Sequence, residues 1–311
     1  MKIFFNRRPP SGPWGGGASF VKNMSDFLIS KGHTVTYDLS NEGQIDIIFM
    51  IDPRPSQDCY SVNEIYEYKC RYPSAKILHR INECDKRKGT EFMDNIILRS
   101  NQICDKTVFI SEWLQSYFIE KGFSKESSVI YNGCDKNSFF QKKSKEVSLP
   151  LKIVTHHWSD NWMKGFDIYT KLDEYLEKNN DIEFTYVGRY YKGHSPKNTK
   201  LVSPLSGIEL GNELRNHDIY ITASRFEPCG MHHVEGSACG MPVLFHSEGG
   251  GINELCKNHG QEFTTFEEMI EKIEIIRNDY EQYCNMIDHE FLSSERCCNQ
   301  YYDIICNMAE R

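Results

Sequence analysis

Long apolar runs are missing from these 311 residues. The longest strongly apolar stretch, IDIIFMI at 45–51, already contains Asp46 and falls far short of the about 20 residues a membrane helix needs. Basic charge is also short: 36 Lys and Arg stand against 44 Asp and Glu, a formal charge of −8. That balance argues against a nucleic-acid partner, which usually meets a basic field, but it allows a locally positive pocket for a small anion. The opening MKIFFNRRPP breaks after three apolar residues, so it holds no signal-peptide core, and a cytoplasmic location is expected. No CxxC pair, Cys/His cluster at zinc spacing or GxGxxG fingerprint occurs, which leaves structural zinc and ordinary dinucleotide binding without support. Internal repeats and low-complexity segments are absent as well.

What is present describes a soluble globular chain, 39% hydrophobic and 26% charged, long enough for two cores of about 150 residues each. The twelve cysteines read as reduced thiols, since no spacing pairs them with a metal and nothing suggests secretion. Six strands are expected in the first half: MKIFFN, HTVTYDL, IDIIFMI, AKILHRIN, DKTVFIS and SSVIYNG. Between them lie helical stretches such as FVKNMSDFLISKG and EWLQSYFIEKG. After a charged linker, KNSFFQKKSKEVSLP, the alternation restarts with LKIVTHH, a helix around GFDIYTKLDEYLEKN, IEFTYVG, HDIYITAS, a helix after Pro228 and MPVLFHS. The pattern predicts an α/β chain of two tandem doubly wound parallel sheets, 1–145 and 146–285, with a helical segment at 286–311. Ligands in such sheets bind beyond the carboxyl ends of the strands, and two domains facing each other would make one deep cleft.

Loops after strands therefore carry the candidates. In EPCGMHHVEGSACGMPV, Glu227 and Glu235 have seven residues between them. Pro228 suits the first turn of a helix that Gly240 ends, with Glu227 just outside it and Glu235 about 12 Å further along. Two such carboxylates cannot grip one atom, but they suit two parts of an elongated ligand. The helix N-terminus between them is a seat for phosphate, and Gly230 allows close approach. The plainer reading, a carboxylate satisfying a helix dipole plus a solvated Glu, stays open on spacing alone. Gly15, Gly16 and Gly17 repeat the strand–glycine–helix logic in the first half, and Gly249–Gly251 form a third such loop. Lys164 in NWMKG would add positive charge at a sheet edge, though a lone lysine is more often solvated.

These residues resemble the signature of family 4 glycosyltransferases, retaining enzymes of the GT-B fold in which two Rossmann-like domains clasp a nucleotide sugar. Glu227, Gly230, Glu235, Gly240, Pro242, Val243 and Gly249–Gly250 fit that pattern in order, and GPWGGGASF, VIYNGCDKNSF and MKGFDIY are similar to further family segments. The resemblance implies that Glu227 contacts donor-sugar hydroxyls and Glu235 the ribose. It implies that the helix amides from Gly230 through Met231 to His232 touch sugar and diphosphate, that Lys164 neutralises the leaving diphosphate, and that Gly15–Gly17 bound it. It also implies a final helix crossing back onto the first domain.

In HRINECDKRKG, the loop that in this family faces the acceptor, Arg80, Asn82 and Asp85 are reaction-centre candidates, with Arg80 and Asn82 preferred, and His157 of the second half is a fourth. The expected donor is a UDP- or GDP-sugar and the acceptor a glycan, glycolipid or glycoprotein. Without an Asp-x-Asp pair, metal independence and no cofactor are expected. Peripheral membrane contact would fall on the basic clusters 86–88 and 142–145. One departure stands out: the family's Arg before its Lys is missing from THHWSDNWMKG, where His156 and His157 occupy the stretch. Those histidines, Arg189 or Arg80 are the candidates to replace it. The alternatives are a non-catalytic or an epimerase-like nucleotide-sugar-binding protein.

Overall fold

The computed structural model describes residues 1–9, 15–40, 43–54, 59–141 and 146–310. Residues 10–14 of the first glycine loop and the basic cluster 142–145 thus lie outside the described residues. The chain forms two compact units, 1–132 with 294–311, and 133–293.

The first unit holds a parallel sheet of six strands among the described residues: β1 (Lys2–Phe5), β2 (Thr34–Thr36), β3 (Ile47–Met50), β4 (Lys76–Ile81), β5 (Lys106–Phe109) and β6 (Ser127–Val129), in the order β2-β1-β3-β4-β5-β6. Its helices are α1 (Gly16–Ser30), α2 (Val62–Arg71), α3 (Asp85–Lys88), α4 (Met93–Asn101) and α5 (Glu112–Glu120). The strands read as near-continuous apolar runs because both faces are covered. Period two then sorts them: Ile3, Phe5, Ile47 and Phe49 pack with α1, while Phe4, Ile48 and Met50 pack with Ile65 and Tyr68 of α2. Helix α12 (Ser294–Ala309) completes the first of these cores with Cys297, Cys298, Tyr301, Ile305 and Met308. Its two adjacent cysteines are thus core residues.

The second unit holds β7 (Leu151–His157), β8 (Ile182–Gly188), β9 (Lys200–Val202), β10 (Ile219–Thr222), β11 (Val243–His246) and β12 (Gly260–Phe263), in the order β12-β11-β10-β7-β8-β9. A single 3-10 turn at Trp162–Lys164 and helices α6 (Phe166–Leu176), α7 (Gly207–Leu214), α8 (Met231–Ala238), α9 (Gly251–Cys256), α10 (Phe266–Asn278) and α11 (Tyr280–Asn285) complete it. Chain order reverses direction between β7 and β10, which run side by side with Ile219 opposite Ile153 and Tyr220 opposite Val154. That reversal makes the carboxyl ends of β7 and β10 the crevice where doubly wound sheets take ligands.

The expected α/β architecture with two parallel sheets is what the chain adopts. Two strands were not expected: β9 is a three-residue edge strand with an exposed face, and β12 is only four residues long, so neither carries a hydrophobic pattern. Part of the stretch read as linker is also ordered into the second unit. Phe139 is buried in its core, and Arg215 Nη1 donates to the Ser138 carbonyl at 2.9 Å.

Candidate functional site

Strand parity decides which side chains meet at the crevice. Along β7, Ile153 faces α6 and Val154 faces α8, so His156 follows Val154 toward α8 and His157 turns the other way. His156 Nε2 lies 2.8 Å from Glu235 Oε2 on α8, and its Nδ1 lies 3.1 Å from the Tyr220 hydroxyl. His157 Nε2 reaches the Tyr169 hydroxyl at 3.0 Å and Thr155 Oγ1 at 3.2 Å. Its Nδ1 has no partner among the described residues, and burial together with the cation of Lys164 pushes its pKa well below the ordinary histidine value. Neutral at physiological pH, His157 supplies no positive charge.

The loop from Ala223 to Gly230 is held from three directions. Tyr169 OH accepts the Ala223 N–H at 3.0 Å, and the Met163 carbonyl accepts from Arg225 N at 2.9 Å. Phe226 N donates to the Glu248 carbonyl at 2.7 Å, Glu227 N to the Gly249 carbonyl at 3.2 Å, and Gly251 N to the Glu227 carbonyl at 2.9 Å. This brings the Gly249–Gly251 loop against the Glu227 loop and corrects one expectation. Pro228 does not open a helix, because its neighbours are tied into an extended pairing with 248–251, and α8 begins only at Met231 behind the N-cap Gly230. Phe226 sits at φ 53°, the left-handed region that a bulky side chain adopts only when its surroundings force it. Strain of that kind gathers where a loop serves a ligand.

Glu227 is buried, and its Oε2 accepts from the Lys164 ammonium. Lys164 is carried there by the 3-10 turn and Gly165, whose φ of 94° and close approach to Ala223 admit only glycine: a Cβ would lie 2.2 Å from that of Ala223. A Cβ on Gly230 would lie 2.6 Å from His232 Nδ1 and 3.2 Å from Glu227 Cδ, so these three residues are neighbours. Thr222 Oγ1 lies 2.9 Å from His232 Nε2, and the rings of His232 and His157 are 4.7 Å apart. Burial, aided by His157 and Lys164, holds His232 well below its usual pKa. Met231, by contrast, turns its side chain into the core.

Arg189 follows Gly188 at the end of β8. It is exposed, with its guanidinium 4.1 Å over the Trp158 ring. In the first unit, Gly15 is the N-cap of α1, with no side-chain cap, and Gly16 opens the helix. A Cβ on Gly17 would lie 3.7 Å from Asn82 Nδ2. Arg80 is 1% exposed, stacks 4.0 Å over Phe20 and donates to Asn132 Oδ1 at 2.8 Å. Asp85 turns inward: its carboxylate accepts from Thr90 Oγ1 at 2.5 Å, Met93 N at 2.8 Å and Asp94 N at 3.1 Å, bonds that outweigh burial and lower its pKa. In the basic stretch 86–88, Arg87 and Lys88 are both paired with Glu83.

Tyr220, Thr222 and Tyr169 were not singled out from sequence, although each fixes a predicted residue. Parity within IYIT puts Tyr220 and Thr222 on one face. What that face touches depends on β10 lying beside β7, which no local pattern reveals.

Comparison with known proteins bears on this arrangement. Residues 161–289 match the family model described as "Glycosyl transferases group 1". Sucrose-phosphate synthase from Thermosynechococcus elongatus superposes at a TM-score of 0.74 with 13% identity, covering 99% of both chains. Anabaena HepE, solved with UDP-glucose, superposes at 0.74 with 16% identity, covering 99% of this chain and 100% of that one. The fold is GT-B. An uncharacterised glycosyltransferase of Methanocaldococcus jannaschii is 24% identical over 162 residues, 49% of this chain and 42% of the relative, so the match spans under half of that relative's length. The matched GT-B segment 161–289 contains Lys164, Glu227, Gly230 and Glu235 but begins after His156 and His157. Among the described residues, no helix is long and apolar enough to cross a membrane.

Proposed function

We propose that this chain transfers a sugar from a nucleoside-diphosphate donor to a hydroxyl of a glycan, glycolipid or glycoprotein acceptor, with retention and without a metal. The observation that carries this reading is the bonded pair Lys164–Glu227 beside Gly230, with Glu235 tied to His156 at the end of β7, at the switch point of the second sheet. A UDP-sugar is the favoured donor over a GDP-sugar, because HepE structures carry UDP-glucose and UDP with glucose.

In this reading the diphosphate meets the N-terminal amides of α8 and the Lys164 ammonium, which stabilise the charge that develops as it leaves. Those two sources of positive charge do the work that a divalent cation does in metal-dependent transferases. Glu227 accepts hydroxyls of the donor sugar, and Lys164 is shared between that carboxylate and the phosphate. Glu235 accepts the ribose hydroxyls. His232 contributes a neutral ring beside them, with Nε2 on Thr222 Oγ1 and Nδ1 next to Gly230. Attack by the acceptor from the face the diphosphate leaves gives retention. Gly15–Gly17 and Arg189 are assigned to the donor and Asn82 to the acceptor; Arg80, buried against Phe20, and Asp85 serve the packing around them.

One observation favours a second reading, a nucleotide-sugar-binding protein with little turnover. The missing Arg is not replaced by His157, which is neutral, nor by His156, which is turned to Glu235. A panel of UDP- and GDP-sugars offered with simple glycosides in EDTA separates the two. Glycoside product with the donor's anomeric configuration supports the transferase. Binding without product, or product only when a divalent metal is added, contradicts it as stated.

A further inference from the structure

We propose that His156 is a positioning residue that makes the site select ribonucleotides over their 2′-deoxy counterparts, acting through Glu235. The inference rests on the reading of Glu235 as the ribose-holding carboxylate and goes beyond it by naming what holds that carboxylate in place.

The contact with Glu235 decides the proton arrangement, and the Tyr220 end is compatible with it. The Tyr220 hydroxyl accepts the His156 backbone N–H at 3.2 Å, so its own proton is left for His156 Nδ1 at 3.1 Å or, at longer range, the His156 carbonyl at 3.4 Å. An Nδ1 that accepts places the ring proton on Nε2. At the other end, an ionised carboxylate only accepts, so the 2.8 Å contact to Glu235 Oε2 also requires the proton on Nε2. Tyr220, His156 and Glu235 thus form one chain of hydrogen bonds in which His156 Nε2 donates to Glu235.

The start of that chain is rigid. Tyr220 is fully buried, and its ring packs so closely on α8 that a Cβ at Gly236 would lie 2.4 Å from its Cγ. The glycine next to Glu235 thus lets the helix approach the same tyrosine whose hydroxyl orients His156. A glutamate on a helix normally samples several rotamers, and freezing one on ligand binding opposes affinity. The bond from His156 freezes it beforehand and leaves Oε1 for a ligand. Vicinal ribose hydroxyls are two donors that such a held acceptor recognises, and a 2′-deoxyribose leaves one acceptor position unmatched.

Calorimetry with UDP against 2′-deoxy-UDP, and GDP against 2′-deoxy-GDP, tests this on the full chain. For the nucleotide that binds, the wild type is expected to favour the ribose form by about tenfold, the value of a hydrogen bond to a charged group. Glu235→Ala should abolish the preference. His156→Ala should cut it to less than about threefold, read on protein whose melting curve shows it folded at the titration temperature. His156→Gln, whose side-chain amide reaches the same oxygen, should restore it. Should His156→Ala fail to fold, His156→Asn, with an amide too short to reach, replaces it under the same expectation. If the preference survives loss of His156 but not loss of Glu235, the positioning role is wrong and the ribose reading stands. If the wild type shows no preference, or Glu235→Ala keeps it, the ribose reading fails and this inference with it.

Discussion

Lys164 and Glu227, both candidates for handling the donor, are bonded to each other. Their side chains are only 12% and 4% exposed, so the ion pair is largely desolvated. Removing one partner of a buried pair strands the other, at about 3–5 kcal/mol. Lys164→Met and Glu227→Gln are each expected to lower unfolding free energy by about 3 kcal/mol in urea denaturation, and the double variant to recover most of it. The double variant should still lose about a hundredfold or more in kcat, because the electrostatic contribution to the leaving diphosphate goes with Lys164. Additive stability losses would mean that the two charges are not coupled.

Gly230 and Gly165 separate function from folding. Gly230 has φ −65°, which any residue adopts, so Gly230→Ala is strained only by its contacts with His232 and Glu227. It should weaken donor binding by about tenfold or more while Tm stays within a few degrees of wild type. Gly165→Ala adds positive-φ strain to a clash with Ala223 and should cost about 1–3 kcal/mol of stability. Paired melting curves and donor titrations read the two effects; equal damage to stability by both would refute the distinction.

Much of this site was legible before its geometry, and the reason differs by residue. Lys164, Gly230 and Glu227 follow from strand–loop–helix punctuation, which is local. The start of α8 was misplaced at Pro228 because the pairing of Glu227 with Gly249 and Gly251 joins distant loops. His156 and His157 were equivalent as letters, and only the facing of β7 assigns one to Glu235 and the other to Tyr169. Arg80 read as a loop-edge residue, yet it is buried within β4 against Phe20. The carboxylate of Asp85 looked available for chemistry until Thr90 and the start of α4 claimed it.

Buried neutral histidines set the response to acid. Burial lowers His79 and His233 to about 3 and His259 to about 4, and holds His157 and His232 well below their usual value. Unfolding restores a pKa near 6.5, so below that pH the unfolded chain binds more protons than the folded one. Stability is full above pH 6.5 and falls as pH drops, by about 1.4 kcal/mol per pH unit for each histidine in the window. Asp85 and Asp167, whose pKa values are lowered by their hydrogen-bond partners against burial, add their loss only at more acid pH. Urea midpoints should fall steeply between pH 6.5 and 5. A flat profile there would mean that these rings are hydrated.

The most direct test of a nucleotide-sugar site is calorimetry of UDP- and GDP-sugars in EDTA, with wild type and Glu235→Ala side by side. One nucleotide class is expected to bind without metal, and the substitution to weaken it at least about tenfold. No binding by the wild type, or equal binding by Glu235→Ala, would contradict this expectation and leave the GT-B fold without a donor site at α8.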